Sequence, residues 1–282
     1  MKKALFYLAF RGGPCYPAAM IWSVATWNIN SLRLRLPQVL AWLEEEKPTV
    51  LLLQETKVPD DLFPREAFEE AGWHVAFHGQ KSYNGVAILS RYPLEDVQQG
   101  FGGEVLEEQA RLLTATVKLK GAAPVRVASL YLPNGNSVGS EKFEWKRRFV
   151  TRLKEWMAQE LAAHPRFVVG GDYNISADER DVDDPEKRGK ECMFTPEERG
   201  WMHAFAEMGM KDGFREISDE AGVFSWWDYR MLSFEKNKGM RIDYNLISAP
   251  LAACVKEVKH ARNIRKNTQP SDHVPVLTIL EE

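Results

Sequence analysis

Cysteine is scarce in this chain. The three present, Cys15, Cys192 and Cys254, form an odd, widely spaced set with none of the spacings that hold a metal or build a disulfide framework. That pattern suits reduced thiols in a cytoplasmic protein. Long apolar runs are lacking too. The run Ala4-Leu5-Phe6-Tyr7-Leu8-Ala9-Phe10 falls far short of the roughly 20 residues needed to cross a bilayer, so no membrane partner is expected. No Gly/Ser-rich or Pro-rich stretch, repeat or low-complexity tract divides the sequence, and 282 residues are within the range of one large domain. Charge of one sign is missing as well. A formal net charge of -3 supplies no global basic field, so a polyanionic partner would have to be met by a local cationic patch or by metal ions.

What is present begins with an atypical leader. Lys2-Lys3 precede the apolar run, and Arg11-Gly12-Gly13-Pro14 ends it. A secretory leader is one reading, with the apolar segment at the short limit for a signal core. The preferred reading is an extension over residues 1–19, disordered or a start-site artefact, because Met20 stands immediately before an evident strand, Ile21-Trp22-Ser23-Val24-Ala25-Thr26-Trp27. Removing it deletes Lys2, Lys3 and Arg11 and takes the net charge from -3 to -6. A single domain is then expected over residues 20–282.

Apolar periodicity organises that domain. The first strand ends in Asn28-Ile29-Asn30-Ser31, with Ser31 a candidate N-cap for a helix carrying Leu36, Val39, Leu40 and Leu43. Val50-Leu51-Leu52-Leu53 reads as a buried strand ending at Gln54-Glu55-Thr56-Lys57. Val75 to His78 and Gly85 to Ser90 read as neighbouring strands with a hairpin-like join. Leu112 to Lys118 alternates like a half-exposed strand, and Val125 to Leu130 is another, followed by Tyr131-Leu132-Pro133-Asn134. Residues 140–163 space Phe143, Phe149, Val150, Leu153, Trp156, Met157 and Leu161 as one face of a long amphipathic helix. Its basic run, Lys142, Lys146, Arg147, Arg148, Arg152 and Lys154, reads as a solvated face. Thr195-Pro196-Glu197-Glu198 carries the start signals of another helix. Strands and helices alternate loosely with hairpin pairs among them, which favours a mixed α/β sandwich over a parallel doubly wound sheet.

The central stretch is Phe167-Val168-Val169-Gly170-Gly171-Asp172-Tyr173-Asn174. A β-branched run stops at two glycines, which are expected to permit a sharp turn or a close approach to a ligand. Asp172 and Asn174 follow at the strand's carboxyl end, two residues apart. Strand alternation would point both the same way, within reach of one phosphate-sized ligand. An Asp/Asn turn alone would look the same, so the weight lies in other polar residues placed likewise.

Six such segments occur in order: Trp27-Asn28-Ile29-Asn30, Leu53-Gln54-Glu55-Thr56, Tyr131, Gly170 to Asn174, Arg241-Ile242-Asp243 and Ser271-Asp272-His273. Their order and spacing resemble the endonuclease/exonuclease/phosphatase superfamily. Together with His78-Gly79-Gln80-Lys81 and Phe224-Ser225-Trp226-Trp227-Asp228-Tyr229-Arg230, they are most similar to its exonuclease III branch, the bacterial abasic-site endonucleases. The resemblance covers about residues 20 to 280. It implies a four-layer α/β sandwich of DNase-I-like type, two mixed β-sheets flanked by helices, with the site where strand ends converge.

The same resemblance implies the chemistry. Glu55 would be the principal ligand of Mg²⁺, or of Mn²⁺ in its place, with Asp272 and Asn30 nearby; hard oxygen donors suit those ions. Asp172 would orient and deprotonate the attacking water, Asn174 would hold a nonbridging phosphate oxygen, and Asn28 would bond within the same network. His273, fixed by Asp243, would donate to the phosphate. Tyr131 would contribute a hydroxyl or phenolate. Asn134, Lys142 and Arg230 are further substrate contacts. Trp226, with Phe224, Met240 or Ile242 nearby, would wall a pocket for a sugar lacking its base. His74, His78, His164, His203 and His260 are read as structural or exposed. The implied activity is cleavage 5′ to abasic sites in duplex DNA, with 3′→5′ exonuclease and 3′-end cleaning, by a monomer acting on abasic or blocked 3′ ends. A phospholipid or inositol phosphodiesterase of the same superfamily is the alternative. An inactive nucleic-acid-binding module is disfavoured, because the full set of polar residues is present.

Overall fold

Two six-stranded mixed sheets, each covered by helices on its outer face, build this chain, as a computed structural model of residues 20–102 and 109–282 shows. The extension expected over 1–19 lies outside the described residues. The first half supplies β1 (Ile21–Asn28), α1 (Leu32–Glu46), β2 (Val50–Gln54), α2 (Arg65–Glu70), β3 (His74–His78), β4 (Val86–Ser90), β5 (Leu94–Gln99), β6 (Leu112–Val117) and β7 (Val125–Tyr131). The second supplies α3 (Glu141–Ala163), β8 (Phe167–Asp172), α4 (Pro185–Arg188), α5 (Pro196–Glu207), β9 (Met210–Asp212), β10 (Asp243–Ser248), α6 (Ala249–Ala252), β11 (Val255–His260) and β12 (Val276–Glu281). One sheet runs β11-β12-β1-β2-β4-β3 and the other β5-β6-β7-β8-β10-β9.

Alternation along each strand sorts side chains into separate layers. Val24, Val50, Leu52 and Ile88 face Ala115, Val127, Val168 and Ile247 between the sheets. Their neighbours point outward: Ala25, Leu51, Leu53 and Leu89 pack under α1 and α2 through Val39, Trp42, Leu43 and Phe68. Ala128, Leu130, Phe167 and Val169 pack under α3 and α5 through Phe149, Leu153, Trp156 and Phe205. Each fully buried aliphatic or aromatic side chain stabilises by about 1.5–3 kcal/mol. The four-layer sandwich expected from the sequence is the fold observed.

Three local expectations need correction. Gly170 and Gly171 make no turn; both lie inside β8. A Cβ on Gly170 would come within 2.5 Å of Leu52 Cδ1 in the opposite sheet, and one on Gly171 within 2.0 Å of the Leu130 carbonyl oxygen. Gly170 thus lets the two sheets close on each other, and Gly171 lets β8 lie tight against β7 in its own sheet, with neither glycine making room for a ligand. β6 is buried at every position except Thr116, because it is an inner strand covered on both faces. Ser31, at φ 87°, makes no capping bond to α1.

Registry sets up the site. β1 and β2 are parallel with Asn28 opposite Gln54, so Glu55 leaves β2 beside Asn28. β7 and β8 are parallel with Tyr131 opposite Asp172, and antiparallel β10 places Asp243 opposite Asp172 on the other side. Parallel strands ending together and an antiparallel strand beginning there bring Tyr131, Asp172 and Asp243 into one row.

Candidate active site

Asn28 joins the two sheets at that edge. Its Nδ2 donates to Glu55 Oε1 at 2.8 Å and to Asp172 Oδ2 at 2.9 Å, so one buried amide sets the spacing of two carboxylates. Asp172 Oδ1 accepts from the backbone N–H of Asn174 at 2.8 Å. The turn this creates holds Asn174 at φ 48°, a conformation asparagine tolerates well. Glu55 at φ 51° has no such excuse, and a non-glycine residue there costs of order 1 kcal/mol or more. Its neighbours fix it: Ser31 N–H donates to the Glu55 carbonyl at 2.8 Å, and Thr56 N–H donates to Gly85 at 3.1 Å.

His273 sits between carboxylates. Its Nδ1 bonds to Asp243 Oδ2 at 2.9 Å, while Nε2 lies 3.8 Å from Asp172 Oδ2. Asp243 is oriented by Ser225, whose Oγ donates to Oδ2 at 2.6 Å and accepts from the Asp243 N–H at 3.0 Å. Burial opposes charge on the imidazole, but Asp243 and then Asp172 outweigh it and hold the ring above its ordinary value, as imidazolium at neutral pH. Asp172 moves upward as well, to about 7; burial is the main cause, Asp243 adds to it, and His273 opposes it. A carboxyl poised near neutrality beside a proton-donating imidazolium is a pair suited to acid and base work.

Tyr131 flanks this pair. Burial, then the Glu55 and Asp172 carboxylates, push its phenol well above 10 despite the neighbouring Arg111. The hydroxyl form is therefore favoured over the phenolate. Asn134 Nδ2 donates to Asn174 Oδ1 at 2.9 Å, and Asn174 Nδ2 to the Leu132 carbonyl at 2.9 Å.

The remaining polar residues converge on Asp272. Asn30 Nδ2 donates to its Oδ1 at 2.9 Å and Trp226 Nε1 to its Oδ2 at 3.0 Å. Glu55, Asp172 and His273 bring potential ligand atoms within 4.8 Å of one another, and with His273 protonated the two carboxylates are the donors of that group. Oxygen donors dominate the set. Four carboxylates, Glu55, Asp172, Asp243 and Asp272, crowd a largely buried site, which is the charge excess a hard divalent cation would offset.

Trp226 packs against Val182, Phe194, Met240 and Ile242. Phe224 turns the other way, into a cluster with Trp227 and Val274, so it is no part of a wall with Trp226. Lys142 lines a cleft of about 480 Å³ with Arg111, Tyr131, Asn134, Trp145 and Arg148. Arg230 lines a second, of about 630 Å³, with Trp226, Arg188 and Lys238, its guanidinium bonded to Asp228 at 3.0 and 2.9 Å. Lys142 and Arg230 are both exposed, as is Asn134.

Comparison with known proteins supplies the family. Residues 25–273 match the Endonuclease/Exonuclease/phosphatase family. The chain belongs to that family. It is 37% identical to exodeoxyribonuclease III of Haemophilus influenzae over 89% of this chain and 97% of that one. A 3′-phosphatase from Neisseria, solved bound to a product DNA hairpin, superposes with a TM-score of 0.87 at 37% identity, covering 91% of this chain and 98% of the other. An AP endonuclease from Archaeoglobus fulgidus gives a TM-score of 0.87 at 33% identity, over 92% and 99%.

Several residues around the site carry no signal in the sequence. Arg111 places its guanidinium 4.6 Å above the Tyr131 ring and 5.2 Å from that of Trp145; its position after residues without periodicity gave no signal. Ser225 has no signal of its own within the aromatic motif that contains it. Lys57 Nζ reaches Glu55 Oε2 at 2.8 Å and Asn30 Oδ1 at 2.6 Å. Lys146, expected on a solvated face, is wholly buried: Nζ donates to the carbonyls of Asn134 and Asn174 at 3.1 and 2.8 Å and pairs with buried Glu198 at 2.5 Å. It sits directly beneath the two asparagines.

Proposed function

We propose that this protein is a metal-dependent DNA repair nuclease that hydrolyses the phosphodiester bond 5′ to abasic sites in duplex DNA. On the same reading it removes nucleotides 3′→5′ and cleans blocked 3′ ends. The observation that carries this is the row Tyr131, Asp172, Asp243 across three strands, with His273 and Glu55 facing it. Relatives named exodeoxyribonuclease III, 3′-phosphatase and AP endonuclease direct the reading to DNA rather than to a lipid or inositol phosphate.

Each residue's task follows from its surroundings. Asp172, once deprotonated, accepts a proton from water aimed at phosphorus, and its bonds from Asn28 and Asn174 keep the accepting lone pair in place. Protonated His273, braced by Asp243 and Ser225, donates through Nε2 to a nonbridging phosphate oxygen. The Asn174 and Asn134 amides, bonded to each other, hold the phosphate on its second side, and the Tyr131 hydroxyl donates on a third. Mg²⁺, with Mn²⁺ able to substitute, would be held by Glu55 with Asp272 and Asn30, and would neutralise charge developing on the phosphate and leaving oxygens. Trp226, backed by the buried Met240 and Ile242, gives a flat apolar wall that accepts a flipped sugar without a base and excludes one that carries it.

The test is a duplex oligonucleotide with one abasic-site analogue, incubated with Mg²⁺. A single incision 5′ to the analogue leaving a 3′-hydroxyl, abolished by chelator, is expected. Undiminished cleavage in chelator would sink the metal assignment. Hydrolysis of sphingomyelin or a phosphoinositide without action on the duplex would overturn the substrate.

A further inference from the structure

Lys57 is the one lysine bonded directly to the expected metal-holding side chains among the described residues. Its Nζ lies 2.8 Å from Glu55 Oε2 and 2.6 Å from Asn30 Oδ1. Asn30 uses its other side-chain atom, Nδ2, on Asp272 Oδ1 at 2.9 Å. One ammonium therefore spans the gap between Glu55 and the Asn30–Asp272 pair, on two of the side-chain oxygens that a divalent ion would draw on.

We propose that the Lys57 ammonium is an internal competitor for the divalent cation: it holds the ligand cluster together by bonding Glu55 and Asn30, and it must swing out when the ion takes those oxygens. The inference rests on the metal reading above and goes beyond it, because it concerns what the ion displaces. Three observations support it. Both acceptors of the Lys57 ammonium are oxygens of the expected ligands, and Lys57 shares no bond with His273 or Asp172. An ammonium and a divalent ion cannot both sit within bonding distance of Glu55 Oε2 and Asn30 Oδ1 without strong repulsion, since like charges about 4 Å apart repel by several kcal/mol even in a partly solvated site. Lys57 also has a way out. Its backbone is pinned by an N–H bond to Asn84 at 2.9 Å, while its side chain keeps 27% exposure, so it can rotate into solvent without moving the loop.

Holding carboxylates with a tethered cation has a chemical consequence. The Lys57 ammonium, 2.8 Å from Glu55 Oε2, partly quenches the field of that carboxylate. Affinity for the ion is then lower than an open cluster of the same oxygens would give.

The experiment is equilibrium Mn²⁺ binding to the full chain without DNA, by calorimetry and by the electron paramagnetic resonance of free Mn²⁺. Lys57→Met is compared with wild type and with Lys142→Met, which removes a site-edge charge that bonds neither Glu55 nor Asn30. Lys57→Met is expected to tighten Mn²⁺ binding by about tenfold, and Lys142→Met by much less. In parallel, pulse methylation of amines read by mass spectrometry should label Lys57 faster when Mn²⁺ is present. Unchanged or weaker affinity in Lys57→Met, an equal gain in Lys142→Met, or Lys57 labelling that slows with Mn²⁺ would each overturn the proposal. If wild type binds no Mn²⁺ at all, the metal reading itself fails; if wild type binds and Lys57→Met binds no tighter, only the displacement fails.

Discussion

Removing either member of the buried pair Lys146–Glu198 should destabilise the protein more than any single surface ion pair could. Both side chains are wholly shielded, at 0% exposure, so the variant leaves an uncompensated charge in the interior, a change that costs about 3–5 kcal/mol. The two deletions are not equivalent. Without Lys146, Glu198 keeps the Met193 N–H, the Thr195 N–H and the Thr195 hydroxyl at 3.0, 3.1 and 2.8 Å. Without a Glu198 carboxylate, the ammonium keeps only the two asparagine carbonyls. Glu198→Gln should therefore lie at the upper end of that range and Lys146→Met at the lower end. The double variant, with no charge left, should cost less than the two together. Urea unfolding followed by fluorescence and circular dichroism measures all three. Lys146→Met should also slow single-turnover incision by tenfold or more, because a small displacement of Asn174 degrades its alignment on the phosphate. Single variants that each lose under about 1 kcal/mol, or losses that simply add, would refute the claim that the pair is dry and coupled.

Other expectations concern separate parts of the fold. Trp226→Ala should impair abasic incision far more than removal of a 3′-phosphate, and a uniform loss on both substrates would argue against a sugar-pocket wall. Gly170→Ala forces a Cβ to within 2.5 Å of Leu52 and Asn245 and should cost about 1–3 kcal/mol by overpacking, read as a lower urea midpoint; a neutral result would mean the sheets can part there. His260, whose Nε2 is buried without a partner although the residue keeps some exposure, is held down to about 3 by burial and by Arg241 and Arg215. The unfolded chain takes up a proton near 6.5 that the folded ring refuses, so this contribution is complete above 6.5 and is lost as pH falls towards about 3. Between pH 7 and 4.5, His260→Asn should lose about 2–3 kcal/mol less stability than wild type; parallel pH profiles would contradict it.

Much of this was legible because strand ends carry the site. Asn28, Glu55, Tyr131, Asp172 and Asp243 each adjoin an apolar run whose period fixes the strand, so chain order alone nearly assembles the cluster. β5, β9 and β11 escaped notice because edge strands need not be apolar: Leu94-Glu95-Asp96-Val97-Gln98-Gln99 is mostly exposed and reads as loop. Lys146 was misplaced for the opposite reason. In a helix rich in lysine and arginine, nothing local distinguishes the one cation that meets Glu198, 52 residues away. Arg111 and Lys57 act through contacts with Tyr131, Glu55 and Asn30 that only the convergence of loops creates. The two glycines stand out in the sequence but their neighbours do not: Gly170 makes room for Leu52 of the second sheet, and Gly171 for Leu130 of the adjoining strand.

Asp172 is the group expected to take the proton from water. Single-turnover cleavage of the abasic-analogue duplex by Asp172→Asn, set beside its equilibrium affinity for the same duplex, tests this most directly. Turnover should fall by two to four orders of magnitude with binding unchanged, as loss of an interaction made only in the transition state requires. Rate and affinity falling together would contradict it and make Asp172 a structural anchor.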